Sequence, residues 1–141
     1  MNYVYDYRIL QPTYYDAAQA LWSTTEGVSL DSSDSFDGFS HFLKSSNLSS
    51  FGAFYNDTLI ATVLCGTDGR RGFLYHLVVN SNFRRKGLAT SLINLALEQF
   101  KKSGIPKCHI FVFNNNREGI QFWNNSGWAK RSDISVYSIK F

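Results

Sequence analysis

"NFRRKGLATSLINLAL", Asn82 to Leu97, sets three cationic side chains and a glycine in front of a leucine run with helical spacing. Leu88, Leu92, Leu95, Ala96 and Phe100 recur at i, i+4, i+7, i+8 and i+12, which predicts an amphipathic helix with Gly104 at its C-terminal cap. Upstream, FLYHLVV (73–79) reads as a strand. A strand that enters a helix through such a turn leaves the first helical amides unpaired, and the aligned peptide dipoles add about half a positive charge there. That arrangement is an anion site. Gly87, having no side chain, lets an anion reach the main chain, and Arg84, Arg85 and Lys86 supply charge around it. A glycine that only eases a tight turn between solvated cations is the competing reading.

Working outward, YVYDYRIL (3–10) alternates as a strand, and Thr13 with Asp16 can cap a helix carrying Ala17, Ala18, Leu21 and Trp22. A loop follows, after which Asp34 with Asp37 opens a second helix bearing Phe36, Phe39, Phe42 and Leu43. FGAFY, the turn Asn56-Asp57 and TLIATVLCG read as a hairpin, and TDGRRG turns the chain again. Beyond the central helix come an apolar strand, CHIFVF (108–113), a short helix in REGIQFWNNSGW stopped near Gly127, and an alternating last strand, DISVYSIKF (133–141). The predicted order is β-α-α-β-β-β-α-β-α-β. The class is α/β (α+β), and 141 residues suit one domain, 1–141, rather than two.

Composition bounds the function. The chain is 44% hydrophobic and 16% aromatic with two prolines, a globular rather than a disordered profile. No segment is apolar for long enough to span a bilayer, and MNYVYDYRIL lacks the features of a signal peptide, so a soluble, cytoplasmic protein is expected. Cys65 and Cys108 lie in apolar runs without ligand spacing, which favours reduced buried thiols over a metal site or disulfide framework. The net charge of +3 hides a division: residues 1–65 carry two basic and seven acidic residues, and residues 66–141 carry twelve basic and four acidic. The first part favours cations and the second anions. The basic residues are not interleaved with aromatics as in a nucleic-acid module, so nucleic acid is not an expected partner.

RRKGLA has the form [R/Q]xxGx[G/A], follows an apolar strand, and is followed by NREGIQFWNNSGW from Asn116. Together with the element order, this resembles the GCN5-related N-acetyltransferase (GNAT) superfamily over essentially the whole chain. LCGTDGRRGFLYHLVV, KCHIFVF and FWNNSGW look like a small bacterial branch related to the ribosomal-protein alanine acetyltransferases. The resemblance implies a mixed, mostly antiparallel sheet of six to seven strands, splayed at the cofactor site and flanked by four helices. It also implies acetyl-CoA as co-substrate and no metal. Its pyrophosphate would sit on the amides of Arg85, Lys86, Gly87, Leu88, Ala89 and Thr90, with Arg84 beside them. Pantetheine would lie along the main chain of Leu77, Val78 and Val79, held also by Asn116 and bordered by Phe122 and Trp123. Asn116 reads equally as a helix cap.

Many members of the family place a tyrosine acid where Trp123 stands. An indole N–H donates a hydrogen bond but is not acidic near neutrality. Trp123 therefore either donates to the sulfur, walls the channel or packs in the core. The base that deprotonates the amine has three candidates, Glu26, His76 and Tyr75. Strand alternation predicts that Tyr75 and His76 point to opposite faces. A histidine in an apolar strand also reads as a packed residue, as does His109, and Arg70-Arg71 as part of a turn. Asp16, Glu26, Asp31, Asp34 and Asp37 fall where the family builds its acceptor side, so the expected acceptor is a cationic amine on a small molecule or peptide. A non-catalytic acyl-CoA sensor and an enzyme acting on an RNA-linked amine are the alternatives. The aromatic last strand leaves a homodimer open.

Overall fold

The computed structural model describes residues 3–141, which divide into two compact units, one running to Phe111 and one from Val112 to Phe141. The first unit contains β1 (Asp6–Ile9), α1 (Tyr15–Ser23), α2 (Phe36–Lys44), β2 (Phe51–Tyr55), β3 (Thr58–Thr67), β4 (Gly72–Val79), α3 (Leu88–Lys102) and β5 (Cys108–Ile110). The strands form one sheet in sequence order, antiparallel from β1 to β4 and parallel between β4 and β5. The mixed, mostly antiparallel sheet matches expectation, with five strands among the described residues instead of six or seven.

Local chemistry accounts for most of these elements. Asn56 (φ 48) and Asp57 (φ 64) take the left-handed conformations that a two-residue hairpin turn demands, and β2 and β3 pair across them. At the next turn Asp68 Oδ1 accepts from the amides of Arg70 and Arg71, both at 2.8 Å, which confirms the turn reading of TDGRRG. The α2 cap differs from expectation. Ser35 caps that helix, its Oγ accepting from Gly38 N at 3.0 Å, while Asp31 and Asp34 form a capping box around the preceding 3-10 turn at Ser32–Asp34. The start of α1 is set by a 3-10 turn at Pro12–Tyr14, with no side-chain cap bond from Thr13 or Asp16.

The sheet is covered on both faces. Thr62, Leu64 and Gly66 of β3 look toward α1 and α2: Thr62 bonds Trp22, Leu64 joins the cluster of Leu10, Leu21, Trp22, Phe39, Phe54 and Val78, and Gly66 lies under the Phe42 ring. Cys65, on the opposite face, is within reach of Gln99 on α3. Leu88, Leu92, Ile93, Ala96 and Phe100 form the buried stripe of that helix. Close approach fixes the C-terminal end of α3, because a Cβ on Gly72 would stand 2.8 Å from the Phe100 ring.

Two strands are shorter than their sequence patterns. Tyr3 and Tyr5 precede β1 and pack with Tyr55 and Phe83 in an aromatic cluster, ring centroids 5.2–6.4 Å apart. β5 stops at Ile110, leaving Phe111 exposed.

In the second unit, α4 (Arg117–Asn125) is capped by Asn116, whose Oδ1 accepts from Gly119 N at 3.0 Å, and Gly127 follows its end at φ 81. The predicted last strand is not formed. Residues 133–141 have no regular structure, and Ile134, Val136, Tyr137, Ile139 and Phe141 are exposed. Alternation gives a segment two faces but no partner for its main chain, and a strand requires both.

Cys65 is buried and Cys108 half-buried, both free. Burial pushes the Cys65 thiol up to about 12 and the Cys108 thiol up to about 11. Raised values keep both groups as thiols at pH 8, where free cysteine is already partly thiolate. Ellman's reagent at pH 8 should therefore modify both cysteines quickly in guanidinium and at least about a hundredfold more slowly in the native protein.

Candidate active site

β4 is paired to β5 only at its start, Gly72 with Cys108, Phe73 with His109 and Leu74 with Ile110. From Tyr75 to Val79 it continues without a β5 neighbour, so the sheet opens along this stretch. Leu77, Val78 and Val79 lie on it; Val78 is buried, and the Val79 carbonyl accepts from Arg84 Nε at 3.4 Å. His109 packs against Phe73 with ring centroids 5.8 Å apart and the planes tilted by 42°, as its packing role predicted.

The chain then passes through a 3-10 turn, Ser81–Phe83, capped by Asn80, whose Oδ1 accepts from Asn82 N at 2.9 Å. Arg85 (φ 61) and Gly87 (φ 80) are both left-handed. For arginine this costs about 1–2 kcal/mol, and such outliers concentrate where a loop has work to do. No side chain caps α3, and its first backbone bond runs from Ser91 N to Gly87 O at 3.0 Å. The amides of Leu88, Ala89 and Thr90 precede that bond and are the orphan donors of the helix. Arg84, Arg85, Lys86 and Gly87 are exposed around them, with Lys86 Nζ 4.7 Å from the Tyr3 ring centroid. The Gly87 conformation suits glycine, as the turn reading requires, and no atom lies within 4 Å of where a Cβ would stand, so the main chain is open there. The loop fits a phosphate-bearing ligand.

Alternation fails at His76. Thr62 pairs with Val78 and Leu64 with Tyr75, so His76 and Leu77 stand against Val63 alone in a β-bulge, with His76 at φ 47. The expectation that Tyr75 and His76 face opposite ways is therefore corrected. Tyr75 meets Phe42 of α2, and His76 meets Trp22 of α1 at a centroid distance of 4.6 Å. Both reach the layer of the first two helices. His76 Nε2 lies 2.6 Å from Asp34 Oδ1, the two side chains being 18% and 12% exposed. Its carbonyl accepts from Thr62 Oγ1 at 2.8 Å, and that oxygen accepts from Trp22 Nε1 at 2.9 Å.

The remaining candidates divide. Tyr75 is half-exposed, and burial raises its phenol above the ordinary value, which makes it a poor base near neutrality. Glu26 lies exposed in the turn after α1, next to Gly27 at φ 87. In the second unit, Trp123 is buried, with Trp128 at 4.6 Å and Phe122 at 5.2 Å, and Asn116 is the helix cap of its second reading. The sequence places Asp34 at the opening of the second helix and in the acidic group, not beside His76. Their separation of 42 residues carries no local signal of contact.

A family model, "Acetyltransferase (GNAT) family", matches residues 8–128, and the chain belongs to that family, whose members use acetyl-CoA. Solved structures share the fold. An aminoglycoside N-acetyltransferase, AAC(6')-Iy, seen in complex with a CoA-linked bisubstrate analog, is 18% identical with a TM-score of 0.77 and coverage of 98% of this chain and 99% of that one. The ribosomal-protein-alanine N-acetyltransferase of Brucella melitensis biovar Abortus 2308 is 21% identical with a TM-score of 0.73 and the same coverage. A PaiA N-acetyltransferase of Thermoplasma acidophilum, in complex with coenzyme A, is 20% identical with a TM-score of 0.77, covering 88% and 89%.

Thr62 is fully buried and joins two elements through one hydroxyl. Thr62→Val keeps its shape but strands the Trp22 N–H and leaves the His76 carbonyl without its donor. Urea unfolding should show a loss of about 1–3 kcal/mol, with Thr62→Ser close to wild type; equal stability of all three would show that these bonds carry no weight.

Proposed function

We propose that this protein is an acetyl-CoA-dependent N-acetyltransferase that moves an acetyl group to a primary amine by direct attack of the amine on the thioester. One observation carries the reading: the stretch of β4 without a β5 neighbour leads through a cationic loop straight into the uncapped N-terminus of α3. Residues 1–141 are read as one acetyltransferase domain acting in the cytoplasm. Among the described residues no helix is long and apolar enough to cross a membrane.

The bound co-substrate supplies an activated acetyl group as a thioester. The amides from Arg85 to Thr90, with the Arg84, Arg85 and Lys86 side chains, hold its diphosphate. Main-chain groups of Leu77, Val78 and Val79 take the pantetheine amides as a neighbouring strand would, and N–H groups near Val79 polarise the thioester carbonyl. Asn116 commits its oxygen to the cap of α4, which leaves its Nδ2 hydrogens to donate. Trp123, buried beside Trp128 and Phe122, offers only an indole N–H and supplies no proton. A thiolate whose conjugate thiol has a pKa near 8.5 leaves adequately without an acid.

His76 is the base in this reading. It is the one candidate held in place by a partner on its ring and another on its carbonyl, whereas Glu26 is exposed. The acceptor is a cationic amine. Asp31 and Asp34 are engaged in their capping box, so the exposed carboxylates of Asp16, Glu26 and Asp37 provide the attraction.

Calorimetric titration should show acetyl-CoA binding at about the micromolar level, near −8 kcal/mol, and no binding to Gly87→Glu. Thiol release across an amine panel should then favour cationic over anionic acceptors, with KM for the favoured amine raised in Glu26→Gln. No binding to the wild type would end the reading; tight binding without turnover of any amine would favour the sensor.

A further inference from the structure

The surroundings of His76 assign roles that neither the family pattern nor the strand sequence contains. Asp34 reaches the imidazole from the turn before α2, and its two carboxylate oxygens are divided: Oδ1 faces His76 Nε2 at 2.6 Å, and Oδ2 accepts from Asp31 N at 3.0 Å. Its own carbonyl accepts from the Tyr15 hydroxyl at 2.8 Å, which fixes the turn that presents it. An ionised carboxylate can only accept, so the nitrogen facing it must carry a hydrogen. The other ring nitrogen, Nδ1, makes no hydrogen bond among the described residues. The ring is also packed against Trp22, and the left-handed backbone that aims it is held by the Thr62 hydroxyl on its carbonyl. His76 stands just past the last β4–β5 pair, Leu74 with Ile110, where the sheet opens.

We propose that Asp34 is a positioning residue that holds His76 as the Nε2–H tautomer, so that Nδ1 presents the lone pair that takes a proton from the acceptor amine. This rests on the acetyltransferase reading above. An ammonium acceptor transfers one proton to Nδ1 and becomes the free amine, and the imidazole becomes an imidazolium whose charge is opposed by the Asp34 carboxylate. The proton then passes to water and His76 returns to its starting form, with Asp34 touching neither substrate.

The division of the Asp34 oxygens makes the idea testable. In Asp34→Asn, one amide oxygen must serve two donors, the fixed Asp31 N–H and the ring. The oxygen stays with the backbone amide, the NH₂ turns to Nε2, and Nε2 has to become an acceptor, which moves the ring hydrogen to Nδ1 and removes the base.

Nitrogen-detected NMR of 15N-histidine-labelled protein, with His76→Gln to assign the signal, should show the hydrogen on Nε2 in the wild type and on Nδ1 in Asp34→Asn. In parallel, kcat should fall by roughly 10²–10³ in Asp34→Asn and in His76→Gln, while acetyl-CoA affinity by calorimetry stays within about twofold. Asp34→Glu, which keeps two acceptor oxygens, should retain the Nε2–H form and recover part of kcat. A wild-type Nδ1–H form, or an Asp34→Asn variant with unchanged tautomer or unchanged kcat, overturns the positioning role. Acetyl-CoA binding with no amine turned over by the wild type defeats the functional reading, and the proposed base with it, whatever the tautomer.

Discussion

A mismatch of two residues against one, His76 and Leu77 of β4 opposite Val63 of β3, organises the first unit. An extra residue bends a strand and sharpens its twist, and here it follows directly on the last pairing between β4 and β5. A histidine at φ 47 is costly by about 1–2 kcal/mol, so the bulge persists only because its surroundings overdetermine it. Thr62 takes the carbonyl, Trp22 takes the ring face and Asp34 takes Nε2. The layer of the first two helices thus does more than cover the sheet, since Trp22 and Asp34 also hold the left-handed residue of the β4 bulge.

The second requirement is a helix start that stays unsatisfied without coming apart. α3 meets it by burying Leu88, Leu92, Ile93, Ala96 and Phe100 along one face while its first turn receives no cap. Tertiary packing holds the helix, and the orphan amides stay pointed outward. Gly87 gives the turn into it, and the exposed cations before it raise the local potential for an anion. The strand opening and the helix start follow one another in the chain, so one continuous segment carries both.

Much of this was legible in the residues. The Asn56-Asp57 turn, the leucine stripe of α3 and the glycine stops at Gly104 and Gly127 are local signals, each set by neighbours a few positions away. So was the cationic loop with its glycine. The failures share a physical cause. DISVYSIKF carries the alternation of a strand, but a strand also needs a neighbouring main chain, which is not a property of the segment. Tyr75 and His76 were assigned to opposite faces by a period of two that the bulge suspends. Asp34 was counted among acidic residues of the acceptor side, whereas one of its oxygens closes a capping box and the other meets a ring 42 residues away.

The sequence by itself determined the element order up to α4, the family, and the window from Arg84 to Thr90 as a cationic turn into a helix start, because backbone conformation follows from residues in immediate succession. Only the tertiary structure decided which histidine nitrogen faces a carboxylate, on which side of the sheet His76 lies, and how many strands the sheet contains. Those depend on pairing register and on contacts between distant segments, and a register shifted by one residue reverses every side chain beyond it.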